Sequence, residues 1–288
     1  MRPSTTSPAD WPTGLPMRWH SPLLFLAAAV AGCAPHATAP SAVALAGQEF
    51  GPGAARDVRT LVIVLHGDGE GEVPASFAGS AQHLADAIPS AHVVALLRPG
   101  YHDAAGNHSP GSRGGTGGDA YTADRIAVVA DTIKGWRARY PQARSILIGQ
   151  SGGAAMAAAL AGLRPGLVDG VVLAGCPCML PEWRKFRAKQ GHAGFAAPVT
   201  SFDPLMTVGG VAPVTRVALL VGADDGETPQ RFSRPYAEAL ALRGIATDYR
   251  VLPGRGHDLL DDADLIDAVR RMSADPAPVP PRNAVVTP

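Results

Sequence analysis

The chain has 288 residues and a formal net charge of zero, with 25 basic side chains against 25 acidic ones. That length suits one sizeable α/β domain with appendages, and the balanced charge argues against a partner held by bulk electrostatics, such as nucleic acid. The three cysteines lack metal-finger spacing and no solenoid-length repeat is visible, which excludes a zinc module and a repeat array.

Residues 1–22 are rich in Pro, Ser and Thr, and a short apolar run, Leu23 to Val30, follows Arg18 and His20. The run is too short to span a bilayer as a helix. A basic residue, a short apolar run and small residues at its end form the pattern of a secretory signal. Val30-Ala31-Gly32-Cys33 resembles the bacterial lipobox. The resemblance implies cleavage before Cys33 and lipid on its sulfur and new amino group, and several acyl chains anchor stably where one does not. Ala34 at the next position implies an outer-membrane, periplasm-facing address. Met17 opens a compact signal directly before the apolar run, so translation is expected to start there. The N-terminal assignment is therefore signal 1–32, then a flexible tether 33–55 rich in Ala, Pro and Gly.

Arg59 to Leu65 is a continuous apolar, β-branched run, as expected of a strand covered on both faces. His66-Gly67-Asp68-Gly69 follows it. Helical spacing runs from Phe77 to Ile88, a second strand from His92 to Leu97, and a glycine-rich loop from 98 to 122. A loop of that length inside a compact domain is functional or mobile. Thr122 to Tyr140 reads as a long helix with Thr122 at its N-cap. Ser145 to Gly149 is a strand, Ala154 to Leu163 a helix and Asp169 to Gly175 a strand. Thr215 to Val221 is a strand, Pro229 to Arg243 a helix, Thr247 to Leu252 a strand and Ala263 to Met272 a helix. Residues 274–288 are a Pro-rich tail. Strands alternating with helices predict a mostly parallel, doubly wound sheet with helices on both faces over residues 56–273. The stretch 176–214 lacks a strand pattern and reads as a small cap insertion. No dinucleotide or phosphate-binding fingerprint follows any strand, so no cofactor and no metal is expected.

The stretch that organises the chain is Ser145-Ile-Leu-Ile-Gly149-Gln150-Ser151-Gly152-Gly153, followed by an alanine-rich helix. Strand, Gly-x-Ser-x-Gly and helix are the setting of a nucleophile elbow, in which the serine hydroxyl stands above the sheet. A serine hydroxyl is a poor nucleophile at neutral pH, so it needs a base. The base in turn needs a carboxylate that holds its tautomer. Asp224-Asp225 and His257 each follow a late strand, on the sheet edge where ligands bind in open α/β sheets.

These residues, in the order Ser, Asp, His, resemble the α/β-hydrolase superfamily from about residue 59 to 272, including its esterases, lipases, dienelactone hydrolases and prolyl-oligopeptidase-like members. Gly222-Ala-Asp-Asp-Gly-Glu-Thr-Pro229 is similar to the acid turn of that superfamily, in a register that selects Asp225 over Asp224. Gly254-Arg-Gly-His257 is similar to its histidine loop. The remaining histidines are assigned to structure or surface, apart from His66. His66-Gly67-Asp68 resembles its oxyanion loop, which implies backbone N–H donors from Gly152 and from Asp68, with Gly69 next. Each such donor contributes about 3 kcal/mol to transition-state stabilisation where measured. Trp183 and Phe186 line a pocket or form helix core; Tyr101, Arg113 and Tyr121 border the cleft or lie on its loop. Cys176 and Cys178 are buried free thiols or a local disulfide.

The expected protein is therefore a lipid-anchored serine esterase of the bacterial envelope. Its triad is Ser151, Asp225 and His257, and its partner is a small ester or acylated substrate. Two rivals are a small serine peptidase of the prolyl-oligopeptidase type and a catalytically silent envelope binding protein on the same scaffold. Oligomeric state is not legible.

Overall fold

A computed structural model describes residues 45–68, 77–115, 117–118 and 120–274. The signal, the lipobox and the first part of the tether lie outside them, as do Gly69 and the Pro-rich tail after 274. A seven-stranded sheet runs through the domain. Its strands are β1 (Gly47–Phe50), β2 (Thr60–Leu65), β3 (Ala91–Leu96), β4 (Arg144–Gln150), β5 (Gly170–Ala174), β6 (Arg216–Gly222) and β7 (Thr247–Leu252). The spatial order is β1-β3-β2-β4-β5-β6-β7. Only β1 is antiparallel to its neighbour.

Alternation along β2 explains the two layers of helices. Leu61, Ile63 and Leu65 face one core, and Val62 and Val64 face the other. The first core takes residues from α2 (Ala123–Arg139), α3 (Gly152–Leu163) and α6 (Arg234–Leu242). The second takes α1 (Ala78–Ala87) and α7 (Ala263–Ser273). Both faces being covered is why the inner strands β2 to β6 read as near-continuous apolar runs, whereas β7 at the edge does not. The cap stretch carries α4 (Leu180–Lys189) and the short α5 (Pro204–Thr207), with 3-10 turns at Ala193–Ala196 and Val208–Gly210. The chain has the α/β-hydrolase fold.

Three sequence expectations change. The tether assigned to 33–55 contains β1, which pairs Gly47 with Leu96 and Phe50 with Val93. Its sequence, Gly-Gln-Glu-Phe, is half-exposed at the sheet edge and has no apolar run to betray a strand. The helix expected over 229–243 starts only at Arg234, after a 3-10 turn at Gln230–Phe232. Pro235 lacks an N–H and fits a helix only in its first turn. Thr122 does precede α2, but its side chain makes no cap bond; its hydroxyl donates to Asp124 instead.

Candidate active site

The site is built where β4 becomes α3. Ser151 has φ 54° and ψ −119°, the one positive φ outside glycine among the described residues. Such a conformation costs an L-residue about 1–3 kcal/mol and persists only where its surroundings enforce it. Here they do. A Cβ on Gly149 would collide with the backbone of Gly153 and Ala154, and a Cβ on Gly153 with the carbonyls of Leu65 and His66. Strand, helix and oxyanion loop thus touch backbone to backbone, and only glycine fits. The Ser151 N–H donates to Ala174 O at the end of β5 (2.8 Å). Helix α3 begins at Gly152, two residues earlier than its apolar pattern shows. The Gly152 N–H is therefore among the donors that a helix start leaves without an internal partner.

Asp225 and His257 meet as expected. His257 Nδ1 lies 2.9 Å from Asp225 Oδ2. Asp225 is buried, whereas Asp224 is exposed. The buried carboxylate is held by four donors. Oδ1 accepts the N–H groups of Glu227 (2.9 Å) and Thr228 (2.8 Å), and Oδ2 accepts the Thr228 hydroxyl (2.7 Å) as well as His257. Burial alone would raise its pKa, but His257 and Thr228 outweigh that and hold it below the usual carboxylate value. For His257, burial works against the charge; the bond from Asp225 and the attraction of that carboxylate prevail and lift its pKa above 6.5. Because the Asp225 carboxylate accepts the Nδ1–H, the neutral ring carries its lone pair on Nε2, as a general base requires.

Ser151 reaches this pair through shared neighbours. A Cβ on Gly175, the residue after β5, would stand 3.1 Å from both Cε1 and Nδ1 of His257, and its preceding residue, Ala174, holds the Ser151 N–H. Among the described residues no hydrogen bond joins Ser151 Oγ to His257. Resting sites commonly tighten this contact only when substrate binds.

The oxyanion loop holds a feature that sequence reasoning missed. The Asp68 carboxylate is the knot of the long 98–122 loop. Its Oδ1 accepts Arg98 Nη2 (2.7 Å), and its Oδ2 accepts the Tyr121 hydroxyl (2.8 Å) and the Gly118 N–H (3.0 Å). A Cβ on Gly152 would collide with this carboxylate. Burial alone would raise the Asp68 pKa; the Arg98 charge and the three donors bring it below the usual value. His66 completes the knot. Its Nε2 accepts the Arg98 N–H (3.1 Å), so its proton sits on Nδ1 and is donated to Gly67 O (2.8 Å). Burial, reinforced by Arg98, pushes its pKa down to about 3, so the ring stays neutral.

The remaining candidates divide. Tyr101 stacks edge-on against His66, with centroids 4.5 Å apart, and Arg113 lies over the Tyr101 ring. Trp183 is buried and donates from Nε1 to Glu227 O (2.8 Å), bracing the acid loop, and Phe186 packs against Phe232. Cys176 and Cys178 form a disulfide just beyond Gly175, which decides between the two expected states. Thr228 carried no sequence signal except its place before Pro229.

A family model described as alpha/beta hydrolase fold matches residues 60–202. No curated protein matches the chain. Among solved structures, esterase PE8 is 19% identical with a TM-score of 0.54, over 80% of this chain and 97% of that one. A Paleococcus ferrophilus monoacylglycerol lipase is 18% identical with a TM-score of 0.51, over 79% and 95%. A puromycin-hydrolyzing peptidase of Mycobacterium tuberculosis is 16% identical with a TM-score of 0.54, over 75% of this chain and 33% of that one. At such identities the likeness is one of fold.

The Asp68–Arg98 pair generates a test. Asp68→Ala leaves a buried guanidinium without its counter-charge, so it is expected to destabilise the fold by about 3–5 kcal/mol. Chemical denaturation measures this, and a cost below about 1 kcal/mol would show that Arg98 does not depend on Asp68.

Proposed function

We propose that this chain, with its α/β-hydrolase fold, is a serine hydrolase that cleaves carboxylic esters through an acyl-enzyme on Ser151. The observation that carries the reading is the conformation of Ser151. A serine forced to φ 54° at a helix N-terminus, on the same sheet edge as an Asp225–His257 pair hydrogen-bonded at 2.9 Å, has few structural reasons to exist.

The chemistry follows from the atoms present. His257 Nε2 removes the Ser151 proton as the hydroxyl attacks the carbonyl carbon. Asp225, ionised and fully hydrogen-bonded, stabilises the imidazolium without taking its proton. The negative charge on the former carbonyl oxygen is met by the Gly152 N–H and by the Asp68 N–H, the two donors the motif implies. The imidazolium then protonates the leaving alcohol. In the second half the same ring activates water, and the acid product leaves. The Asp68 carboxylate, carried by the same residue as one of these donors and packed against Gly152, would oppose a developing anion were its charge not cancelled by Arg98 at 2.7 Å.

Ester rather than amide substrates are the preferred reading because the esterase and the monoacylglycerol lipase of like fold are matched over 97% and 95% of their lengths, the peptidase over 33%. An ester and aminoacyl-amide panel on wild type and Ser151→Ala tests it. Wild type should hydrolyse short acyl esters, with kcat/KM rising with pH through a limb above 6.5, the ordinary histidine value that Asp225 raises in His257. Ser151→Ala should lose about 10³-fold or more. Ester activity surviving the substitution would overturn the assignment, and activity on amides alone would favour the peptidase.

The reading extends to location. Residues 1–32 act as a lipoprotein signal, and Cys33 carries the lipid that tethers the domain to the bacterial envelope. No described helix is long and apolar enough to cross a membrane. Cys33→Ser should move the protein from the membrane to the soluble fraction. Unchanged membrane fractionation with normal processing would contradict lipidation there.

A further inference from the structure

The catalytic pair sits at opposite ends of a four-strand span. Ser151 follows β4 and His257 follows β7, with β5 and β6 between them. At about 4.8 Å per strand, the strand ends are about 14 Å apart. The histidine loop must therefore fold back across two strands to bring its imidazole to the serine. On the β6 side it is fastened by the Asp224 N–H, which donates to Arg255 O (3.0 Å). On the β4 side it is fastened separately.

That fastening is the Gln150 side chain, from the residue immediately before the nucleophile. Its Nε2 donates to His257 O (2.7 Å), and its Oε1 accepts the Leu259 N–H (3.3 Å). The partners fix the orientation of the amide. A carbonyl can only accept and an N–H can only donate, so the reverse placement would set like against like at both ends. Gln150 and Leu259 are buried, so water does not readily replace either bond. One side chain thus grips the two peptide groups that flank Asp258, directly after the catalytic histidine.

We propose that Gln150 is a positioning residue of the active site: it ties the histidine loop to the nucleophile elbow, so that the distance between Ser151 Oγ and His257 Nε2 is set by an amide carried on the elbow itself. The inference rests on the serine-hydrolase reading. It also gives the second position of Gly-Gln-Ser-Gly-Gly a function, where the motif demands only its glycines and serine. Any side chain there that matches glutamine in length but lacks one partner loosens the loop on that side alone. Asp225 still accepts the Nδ1–H, so the ring keeps its tautomer and loses its placement.

The test compares Gln150→Met, which keeps the length and removes both bonds, with Gln150→Glu, which keeps the acceptor for Leu259 N–H and loses the donor to His257 O. Turnover is measured on a p-nitrophenyl ester at a pH well above the histidine limb. It is expressed per active site titrated by the acylation burst, which removes any unfolded fraction from the comparison. A misplacement near 1 Å costs about 100-fold in rate. Gln150→Met should therefore lose about 10- to 100-fold in kcat, with KM within about twofold of wild type. Gln150→Glu should fall as far or further, because its ionised oxygen faces the His257 carbonyl. Unchanged kcat per active site in both variants would overturn the proposal while leaving the hydrolase reading intact. So would a loss carried by KM alone. A wild-type protein inert toward every ester and amide would instead overturn both, since no reacting histidine would then need placing.

Discussion

Everything at the site depends on one backbone constraint, the passage of β4 into α3 through a left-handed serine. The turn is too tight for side chains on its flanks, and the glycines that relieve it let the helix start against the carbonyls of Leu65 and His66. That contact places the oxyanion loop beside Ser151, because the residues it touches lead directly into Gly67 and Asp68. The strain in Ser151 is held by ordinary packing. β4 lies in the middle of the sheet, paired on both sides, and α3 is buried along most of its length. The same arrangement that hides the alanine-rich helix exposes the serine hydroxyl.

Around that turn the sheet delivers its other parts from separate strand ends, and each is locked by a group that is not itself a reactant. Thr228 and two backbone N–H groups saturate the Asp225 carboxylate. Gly175 O accepts the Thr228 hydroxyl (3.0 Å), while Gly175 itself packs under the His257 ring. A hydroxyl has one proton, so Thr228 serves Asp225 or Gly175 at any instant. Arg98, Tyr121 and Gly118 converge on Asp68 and turn the long loop after β3 into a wall of the site. The Cys176–Cys178 bridge closes the chain just past that floor. The site is thus a set of loops, each fastened by bonds made across the fold.

What was legible in the sequence follows from which signals are local. Parallel strands buried on both faces must be apolar, so the five inner strands β2 to β6 stood out as runs, while β7 at the far edge is half-buried and mixed in sequence. β1 did not, because it is four residues long and Phe50 is its one large apolar side chain. Ser151, Asp225 and His257 were legible because the elbow and the acid turn carry fixed spacings of glycine and proline around them. Asp225 could be separated from Asp224 by register, and burial agrees. The Asp68 carboxylate was not legible: its partners lie 30, 50 and 53 residues away, and a glycine-rich loop of low complexity does not reveal which of its polar groups turns inward. Gln150 and Thr228 were hidden for the same reason. A motif states which residues react, whereas the bonds that aim them are made across the fold.

The central claim is that the left-handed Ser151 is a nucleophile armed by His257. The most direct measurement is reaction of the folded protein with a fluorophosphonate, followed by peptide mass spectrometry. The account predicts one adduct per chain, on the peptide containing Ser151, formed faster as pH rises through the His257 titration and absent after heat denaturation. A folded, soluble protein that takes no label, or takes it on another residue, would contradict it.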